Sequence, residues 1–364
     1  MMTTLGKACD LKAGKFVSAK DIQDIFCDGF YPCYGGNGIR GYVNNYSHDG
    51  CYPLIGRQGA LCGNVNYASG KFRATEHAVV VKPLIEIDTR WLYYKLISMN
   101  LGQYATGAAQ PGLAVSTLEQ LPINIPTLEA QKISAQTIDI VNNLISLRKQ
   151  QLAKLDDLVK ARFIELFGDQ KTNPYNLEVG KLSDVADIYL GLTHTPTYVE
   201  HGKPFLSVRD ISSGVVDFSN CHYITEEEFD SLPKGARPQA GDMLFCRVGT
   251  IGKPVIIPEN IPEFGTFVSV GYLRKKANVN NYYLKAWMEN EYFMRQVYDN
   301  VAGASQINLN TGWLKNFRIL VPPMELQNQF AAFVEQTDKS KSAIQQSLDK
   351  LETLKGALMQ KYFG

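Results

Sequence analysis

The sequence predicts an α+β protein in which two mixed α/β, strand-rich domains are joined by two long helices, as a pseudo-two-fold internal repeat. Three observations predict this fold: segments that recur at a nearly constant offset, helical stretches with coiled-coil periodicity, and strand-forming runs between them. The chain has 364 residues, 45% hydrophobic and 20% charged, so it can bury the cores of two or three domains.

The repeat is clearest where each long helix begins. PTLEAQKISAQ starts at Pro126, and PPMELQNQFAA starts at Pro322, 196 positions later. The same offset relates the loop GAAQPGL at 107–113 to GASQINL at 303–309. Self-similarity of this kind indicates a duplicated structural unit.

The offset between the copies shrinks towards the start of each copy. It is 190 between Arg57 and Arg247, and 177 between LGKACDLKAG at 5–14 and LSDVADIYLG at 182–191. The second copy therefore carries more residues in its early loops.

The repeat also sets the expected boundaries. The segment between the copies is polar and contains an Asn-Pro pair, which favours a turn. The expected parts are a first domain at 1–126, a central helix at 127–167, a linker at 168–176, a second domain at 177–322 and a C-terminal helix at 323–364.

In both long helices the spacing alternates between three and four residues, the heptad pattern of a coiled coil. Most of these positions are apolar, with Arg148 and Arg162 filling two gaps in the first helix and Thr337, Lys341 and Lys355 lying in the pattern of the second. Each helix would extend about 60 Å at 1.5 Å per residue. A lone helix cannot bury such a stripe, so we expect the two helices to pack against each other, with Thr127 as the N-cap of the first. The predicted seam consists of Ile138, Val141, Ile145, Leu152, Leu155 and Val159, with Ile344, Leu348, Leu351 and Leu358 in the second helix.

The domains themselves have strand signals. Valine-rich and aromatic runs, such as HAVVVKP and FVSVGYLRKK, alternate with turns rich in Gly, Asn and Asp. One short helix is expected in each domain before the glycine–glutamine loop, at 88–100 and at 281–297.

Motifs for catalysis or cofactor binding are incomplete. Gly36, Gly38 and Gly41 spell the dinucleotide fingerprint G-x-G-x-x-G, but the residues after them have no helical periodicity. We therefore interpret these glycines as hairpin turns. The segment GTIGKP at 249–254 lacks the first glycine and the hydroxyl residue of a phosphate loop, and the five histidines show no metal-ligand spacing. We expect a binding protein that holds no metal and no cofactor.

The net charge and the cysteine content limit the possible partners and cellular location of the protein. The formal net charge is +1, so a role with nucleic acid requires locally clustered basic residues. Seven cysteines without a C-x-x-C pair, and no signal peptide or long apolar run, predict a soluble cytoplasmic protein with reduced thiols and no membrane contact.

In combination, these features resemble the specificity subunit of type I restriction–modification systems over essentially the full chain. The similar pieces are the proline-led helix starts, the Phe-Gly helix ends, the glycine–glutamine loops, and FCRVGTIGKP at 245–254 with a weaker partner, IGRQGALCGN, at 55–64. The resemblance implies two target recognition domains that each read half of a bipartite DNA sequence. It also implies an antiparallel coiled coil that fixes the spacer between the halves.

The resemblance further implies that partners carry the chemistry. Two modification subunits would use S-adenosylmethionine to methylate adenine, and restriction subunits would use ATP and Mg²⁺ for translocation and cleavage. This chain would contribute double-stranded DNA recognition to prokaryotic defence and would not be an enzyme by itself.

The polar loop residues then become candidates for contacts with DNA. Arginine pairs with guanine and asparagine with adenine, so Asn37, Arg40 and Arg209 are expected to read bases. Arg57 and Arg247 recur in both copies, which suits phosphate contacts or scaffolding better than base discrimination. Gln58, Thr250 and Lys253 flank these arginines and could serve either role or belong to a loop exposed to solvent, and Asn308 is a further candidate. Gln110 and Gln306 could contact the DNA backbone or cap their loops.

Two alternatives remain open at this stage. The chain could be the recognition subunit of a related stand-alone methyltransferase. In a different class, it could be a coiled-coil scaffold or adaptor that does not bind DNA, which the near-zero net charge favours. The glycine-rich, arginine-bearing loops favour DNA.

Overall fold

A computed structural model describes residues 1–107, 111–301 and 307–364. The chain forms two compact units. The first unit comprises residues 1–150 and 345–364, and the second comprises residues 151–344. Each unit therefore combines a strand-rich domain with a segment of each long helix.

The described residues of the first domain form ten strands and three α-helices before the central helix. Two short 3-10 turns lie at Ala19–Asp21 and Leu101–Tyr104. The strands and helices are β1 (Met2–Thr4), α1 (Leu5–Ala8), β2 (Cys9–Ala13), β3 (Tyr31–Gly35), β4 (Gly38–Val43), β5 (His48–Asp49), β6 (Tyr52–Gly56), β7 (Val65–Ala68), β8 (Lys71–Ala74), β9 (Ala78–Pro83), α2 (Thr89–Ser98), α3 (Val115–Gln120) and β10 (Pro122–Asn124).

The central helix α4 spans Leu128–Phe167, and the elements of the second domain follow it. Two 3-10 turns lie at Val208–Asp210 and Lys234–Ala236. The strands and helices are β11 (Glu178–Lys181), α5 (Leu182–Val185), β12 (Ala186–Leu190), β13 (Lys203–Leu206), β14 (His222–Ile224), α6 (Glu226–Ser231), β15 (Met243–Cys246), β16 (Val255–Ile256), β17 (Gly265–Thr266), β18 (Val270–Lys275), α7 (Asn281–Glu289), α8 (Glu291–Asn300), α9 (Thr311–Lys315), β19 (Arg318–Val321) and α10 (Met324–Phe363).

The two domains share most of their sheet topology, although the second sheet has four strands in the first domain and three in the second. In the first, one sheet has the order β2-β9-β6-β7 and another the order β4-β3-β8-β5, and β1 pairs with β10. The second has β12-β18-β15-β16, β14-β13-β17 and the pair β11-β19. The parallel contact of β3 with β8 recurs between β13 and β17. The duplicated unit inferred from the sequence is thus visible in the strand order.

A glycine at the end of the first long strand shows the same correspondence at atomic scale. A Cβ on Gly14 would lie 2.1 Å from the carbonyl oxygen of Ala74, and one on Gly191 would lie 2.3 Å from that of Phe267. These glycines are 177 positions apart, the offset of the surrounding segments. Both copies therefore need glycine here because backbone passes directly over backbone.

Strand β9 explains how the first core is built. Val79, Val80 and Val81 are all buried, which is expected of a central strand covered on both faces. Helix α2 packs beside this sheet through Trp91 and Leu92. Asp88 caps it by accepting from the backbone N–H of Trp91 at 2.7 Å.

The second domain departs from the single short helix expected at 281–297. The segment is broken into α7 and α8 at Asn290, whose side chain accepts from the N–H of Tyr292 at 2.8 Å. Asn290 is therefore an N-cap that starts a new helix, a local interaction that competes with helix continuation.

The long helices run antiparallel within each unit. In the first unit, Phe363 of α10 packs in the same cluster as Ile138 of α4, and Lys149 pairs with Glu352 at 3.0 Å. In the second unit, Phe163 packs against Phe330 with ring centroids 5.6 Å apart. The contacting residue number on α10 falls as that on α4 rises, which defines the antiparallel direction.

The predicted seam faces inwards. Ile138, Val141, Ile145 and Leu348 are buried, and the other predicted seam residues are half-buried. The predicted cap of α4 is also confirmed, since the hydroxyl of Thr127 accepts from the N–H of Ala130 at 3.4 Å. None of the helices within the described residues has the length and apolarity needed to cross a membrane.

Candidate nucleic-acid interface

The glycine fingerprint of the first unit is a β-hairpin. Strands β3 and β4 pair antiparallel and meet at a two-residue turn, Gly36-Asn37, closed by the pair Gly35 and Gly38. Gly38 has φ of 100°, which favours glycine. The hairpin interpretation is confirmed for Gly36 and Gly38, whereas Gly41 lies inside strand β4, where it pairs with Cys33. The strand–helix geometry of a dinucleotide site is absent from this segment.

The tip of this hairpin rests on the end of β6. A Cβ on Gly56 would lie 2.0 Å from the carbonyl oxygen of Gly36, so only glycine allows this approach. The Asn64 side chain donates to Oδ1 of Asn37 at 2.7 Å. Asn37 is exposed and keeps its amide N–H groups available, and Arg40 is exposed on β4.

Behind the hairpin lies a group of polar side chains that motif analysis missed. Each has a side-chain nitrogen or oxygen that is removed from solvent and finds no hydrogen-bond partner among the described residues. Leaving such atoms unsatisfied costs about 1–3 kcal/mol each, so they are candidates to gain a partner when a ligand binds. The signal in the sequence was weak, because two of the residues are single polar positions in short strands and the others lie in connecting segments. The group consists of Arg57, Asn66, Arg73, Glu76 and His77.

The corresponding place in the second unit has a different loop. Between β13 and β14 the chain runs through residues 207–221 in place of a two-residue turn. Buried Asp210 closes the start of this loop by accepting from the N–H and the hydroxyl of Ser207 at 2.7 and 2.8 Å. The exposed Arg209 side chain pairs with Asp210 at 3.4 Å and donates to the carbonyl of Asn220 at 3.4 Å. The longer early loops expected for copy two are confirmed here.

Arg57 and Arg247 occupy the same backbone position in the two units. The N–H of Arg57 donates to the carbonyl of His77 at 3.0 Å, and that of Arg247 to the carbonyl of Ser269 at 2.9 Å. Their carbonyls accept from Leu113 and Leu309, each at 2.9 Å. The two arginines, which are 190 positions apart in the sequence, therefore occupy equivalent positions in the fold.

The other predicted contacts lie beside these arginines. Gln58 is exposed and bridges to Gly112, and Asn308 is exposed and bridges to Val248. Thr250 and Lys253 are exposed on the loop after Arg247. Gln110 and Gln306 fall outside the described residues. The role of each as a DNA contact stays a prediction.

Two further observations concern thiol reactivity and metal binding in the described residues. Burial raises the pKa of Cys9 to about 12 and that of Cys246 to about 11, so neither is a thiolate near neutral pH. Across 1–107, 111–301 and 307–364, no three His, Cys, Asp or Glu side chains cluster as metal ligands would.

Comparisons with known proteins agree on one family. The model of the type I restriction modification DNA specificity domain matches residues 1–157 and again residues 174–353. The chain is 49% identical over 142 residues to the type I restriction enzyme EcoprrI specificity subunit of Escherichia coli, which covers 39% of this chain and 35% of that subunit. It is 26% identical over 335 residues to a putative type I specificity subunit of Haemophilus influenzae, covering 88% and 83% of the two chains.

Solved structures show the same fold. The S subunit of a type I restriction–modification system from M. genitalium aligns over 100% of this chain and 96% of its own, with a TM-score of 0.67 and 16% identity. A chain from a structural study of the assembly and conformational transition of the type I R-M system aligns over 100% and 97%, with a TM-score of 0.61 and 16% identity.

Proposed function

Because the chain belongs to the family of the type I restriction modification DNA specificity domain, we propose that it is the DNA-recognition subunit of a type I restriction–modification complex. Each strand-rich domain reads one half of a bipartite target, and the paired helices fix the spacer between the halves. The chain directs adenine methylation and restriction without catalysing either. The complex acts in the cytoplasm, where chromosomal DNA lies.

One observation carries this proposal: two copies of one domain present different loops at the same place. The tip at Gly36-Asn37 is a two-residue turn, whereas residues 207–221 form a long loop that carries Arg209. A shared scaffold with divergent polar loops supports the reading of two unlike half-sites, because base discrimination depends on a few side chains at the groove.

The partners proposed for the chain are two modification subunits, which bind S-adenosylmethionine, and restriction subunits, which use ATP and Mg²⁺. An apolar stripe on α4 supports docking of a helix from a modification subunit. Ile133, Ile140, Leu144 and Leu147 are 54, 61, 39 and 46% exposed and follow the spacing of a second coiled-coil seam. A seam that faces solvent suits an amphipathic partner helix.

The proposed function is tested by mapping methylated adenines, with long-read sequencing, in cells that express this chain with its modification subunit. We expect a motif with two unrelated halves and a fixed gap. Arg209→Ala should relax one half only, at a cost of about 1–3 kcal/mol. Arg295→Ala, at an exposed arginine of α8, is the matched control and should leave the motif unchanged. A motif without a gap, or no motif, contradicts the proposal.

Docking on the stripe is tested separately. Ile140→Gln installs the residue type that α10 carries at the equivalent position, Gln336, 196 residues later. The side chain is exposed, so the melting temperature of the isolated chain should hold, while affinity for the modification subunit falls about tenfold. Affinity that is unchanged would place the docking surface elsewhere.

A further inference from the structure

We propose that Arg57 and Arg247 have different roles, although their backbone positions are equivalent. Arg247 positions the loop around residues 307–309, and the guanidinium of Arg57 binds a phosphate of the DNA. The inference rests on the proposed function and refines it. The repeat by itself suggests one shared role for both arginines, and the side-chain contacts separate them.

The guanidinium of Arg247 is already occupied by the protein. Its Nε donates to the carbonyl of Leu309 at 3.0 Å and its Nη1 to the carbonyl of Val268 at 2.9 Å. Its Nη2 donates to Oδ1 of Asn308 at 3.4 Å. These acceptors come from two separate segments, so the planar fork of the arginine ties them together. Burial lowers the pKa of Arg247, because removal from water disfavours the charged guanidinium.

The first unit lacks this arrangement. The residue equivalent to Asn308 is Gly112, as the matching bridges Gln58 to Gly112 and Val248 to Asn308 show. Glycine has no side chain to accept from an arginine. Within the described chain, Nε of Arg57 is buried without a hydrogen-bond partner, and the carboxylate of Glu76 pairs with His77 at 3.2 Å.

The surroundings of Arg57 favour a phosphate as its partner. The arginine is half-buried at the end of β6, against which the tip of the hairpin with Asn37 rests. The Nε–H of Arg57 is removed from water without a hydrogen-bond acceptor among the described residues, and a phosphate oxygen would supply a charged acceptor for it. Because Arg57 follows directly from a scaffold strand, it is better placed to hold the backbone of DNA than to discriminate bases.

The test uses the assembled complex of this chain with its modification subunit and a duplex that carries the target mapped by methylation. Affinity is measured across a series of salt concentrations. For Arg57→Ala we expect about tenfold weaker binding, and the slope of log affinity against log salt should become shallower by about 0.9. Arg57→Lys keeps the charge and should keep the slope.

The second arginine is the matched control. Arg247→Ala and Arg247→Lys should both lower the melting temperature, because neither alanine nor lysine can reproduce the planar fork of the guanidinium. Both should leave the salt slope unchanged, because Arg247 contacts the protein and not the DNA. If Arg247→Ala does not fold, Asn308→Ala removes one acceptor only and should give the same pattern in milder form.

The outcomes are distinct. If the unmodified complex does not prefer its target duplex, both the proposed function and this inference are overturned. If it does prefer its target, two results overturn the inference alone. One is that Arg57→Ala keeps the full slope of log affinity against log salt, and the other is that Arg247→Ala reduces this slope as much as Arg57→Ala does. If Arg57→Ala instead relaxes one half-site, Arg57 reads a base and the phosphate assignment is wrong.

Discussion

Substituting Gly56 with alanine should damage recognition of one half-site only. The added Cβ would lie 2.0 Å from the carbonyl oxygen of Gly36, whereas ordinary contacts begin at 3.4 Å. The hairpin tip must therefore move by about 1.4 Å, because the carbonyl oxygen of Gly36 belongs to the backbone and the added Cβ is fixed by the backbone of Gly56. The movement also strains the hydrogen bond from Asn64 to Asn37, which measures 2.7 Å.

The magnitude follows from these contacts. Overpacking in a close-packed site costs about 1–3 kcal/mol, and a strained or lost hydrogen bond adds about 1 kcal/mol. We expect Gly56→Ala to lower the free energy of unfolding of the first unit by about 2–4 kcal/mol, measured by urea denaturation. Methylation mapping should show relaxed specificity in the half-site that depends on Asn37, with the other half unchanged.

The control is a Gly→Ala substitution at a position where the added Cβ contacts no other atom. A Cβ on Gly356 of α10 meets no atom within 4 Å, so Gly356→Ala should be neutral or stabilise the helix by up to about 1 kcal/mol. If Gly56→Ala were as benign as Gly356→Ala, the close approach of the hairpin to β6 would not matter for stability or recognition, and the reasoning would be refuted.

Two further predictions concern stability. Phe363 is 1% exposed and packs near Trp91 and Tyr94, so Phe363→Ala should destabilise the first unit by about 3–5 kcal/mol in urea, whereas Leu354→Ala, 46% exposed, should cost under about 0.5 kcal/mol. Burial, aided by Asp139, raises the pKa of Tyr94 to about 12 from an unfolded value of 10. The unfolded state therefore loses its proton first, and stability should fall between pH 10 and pH 12, less steeply in Tyr94→Phe; equal slopes in both proteins would contradict this.

The sequence by itself determined the periodic and repeated features of the protein. A nearly constant offset, a heptad pattern and closely spaced glycines are properties of the chain in one dimension, so the duplicated unit, the pairing of the long helices and the turn at Gly36 and Gly38 were predicted correctly. The single helix expected at 281–297 failed because periodicity continues through Asn290, while the cap that ends it depends on a local hydrogen bond.

Only the tertiary structure decided how equivalent side chains are used. Arg57 and Arg247 look alike in sequence, and both were expected to contact phosphates or support the scaffold. The acceptors that occupy Arg247 are the carbonyls of Val268 and Leu309, which are 21 and 62 residues away. Every residue has a carbonyl, so no sequence pattern marks which ones will converge on a guanidinium; folding brings them there, and it leaves Arg57 without them.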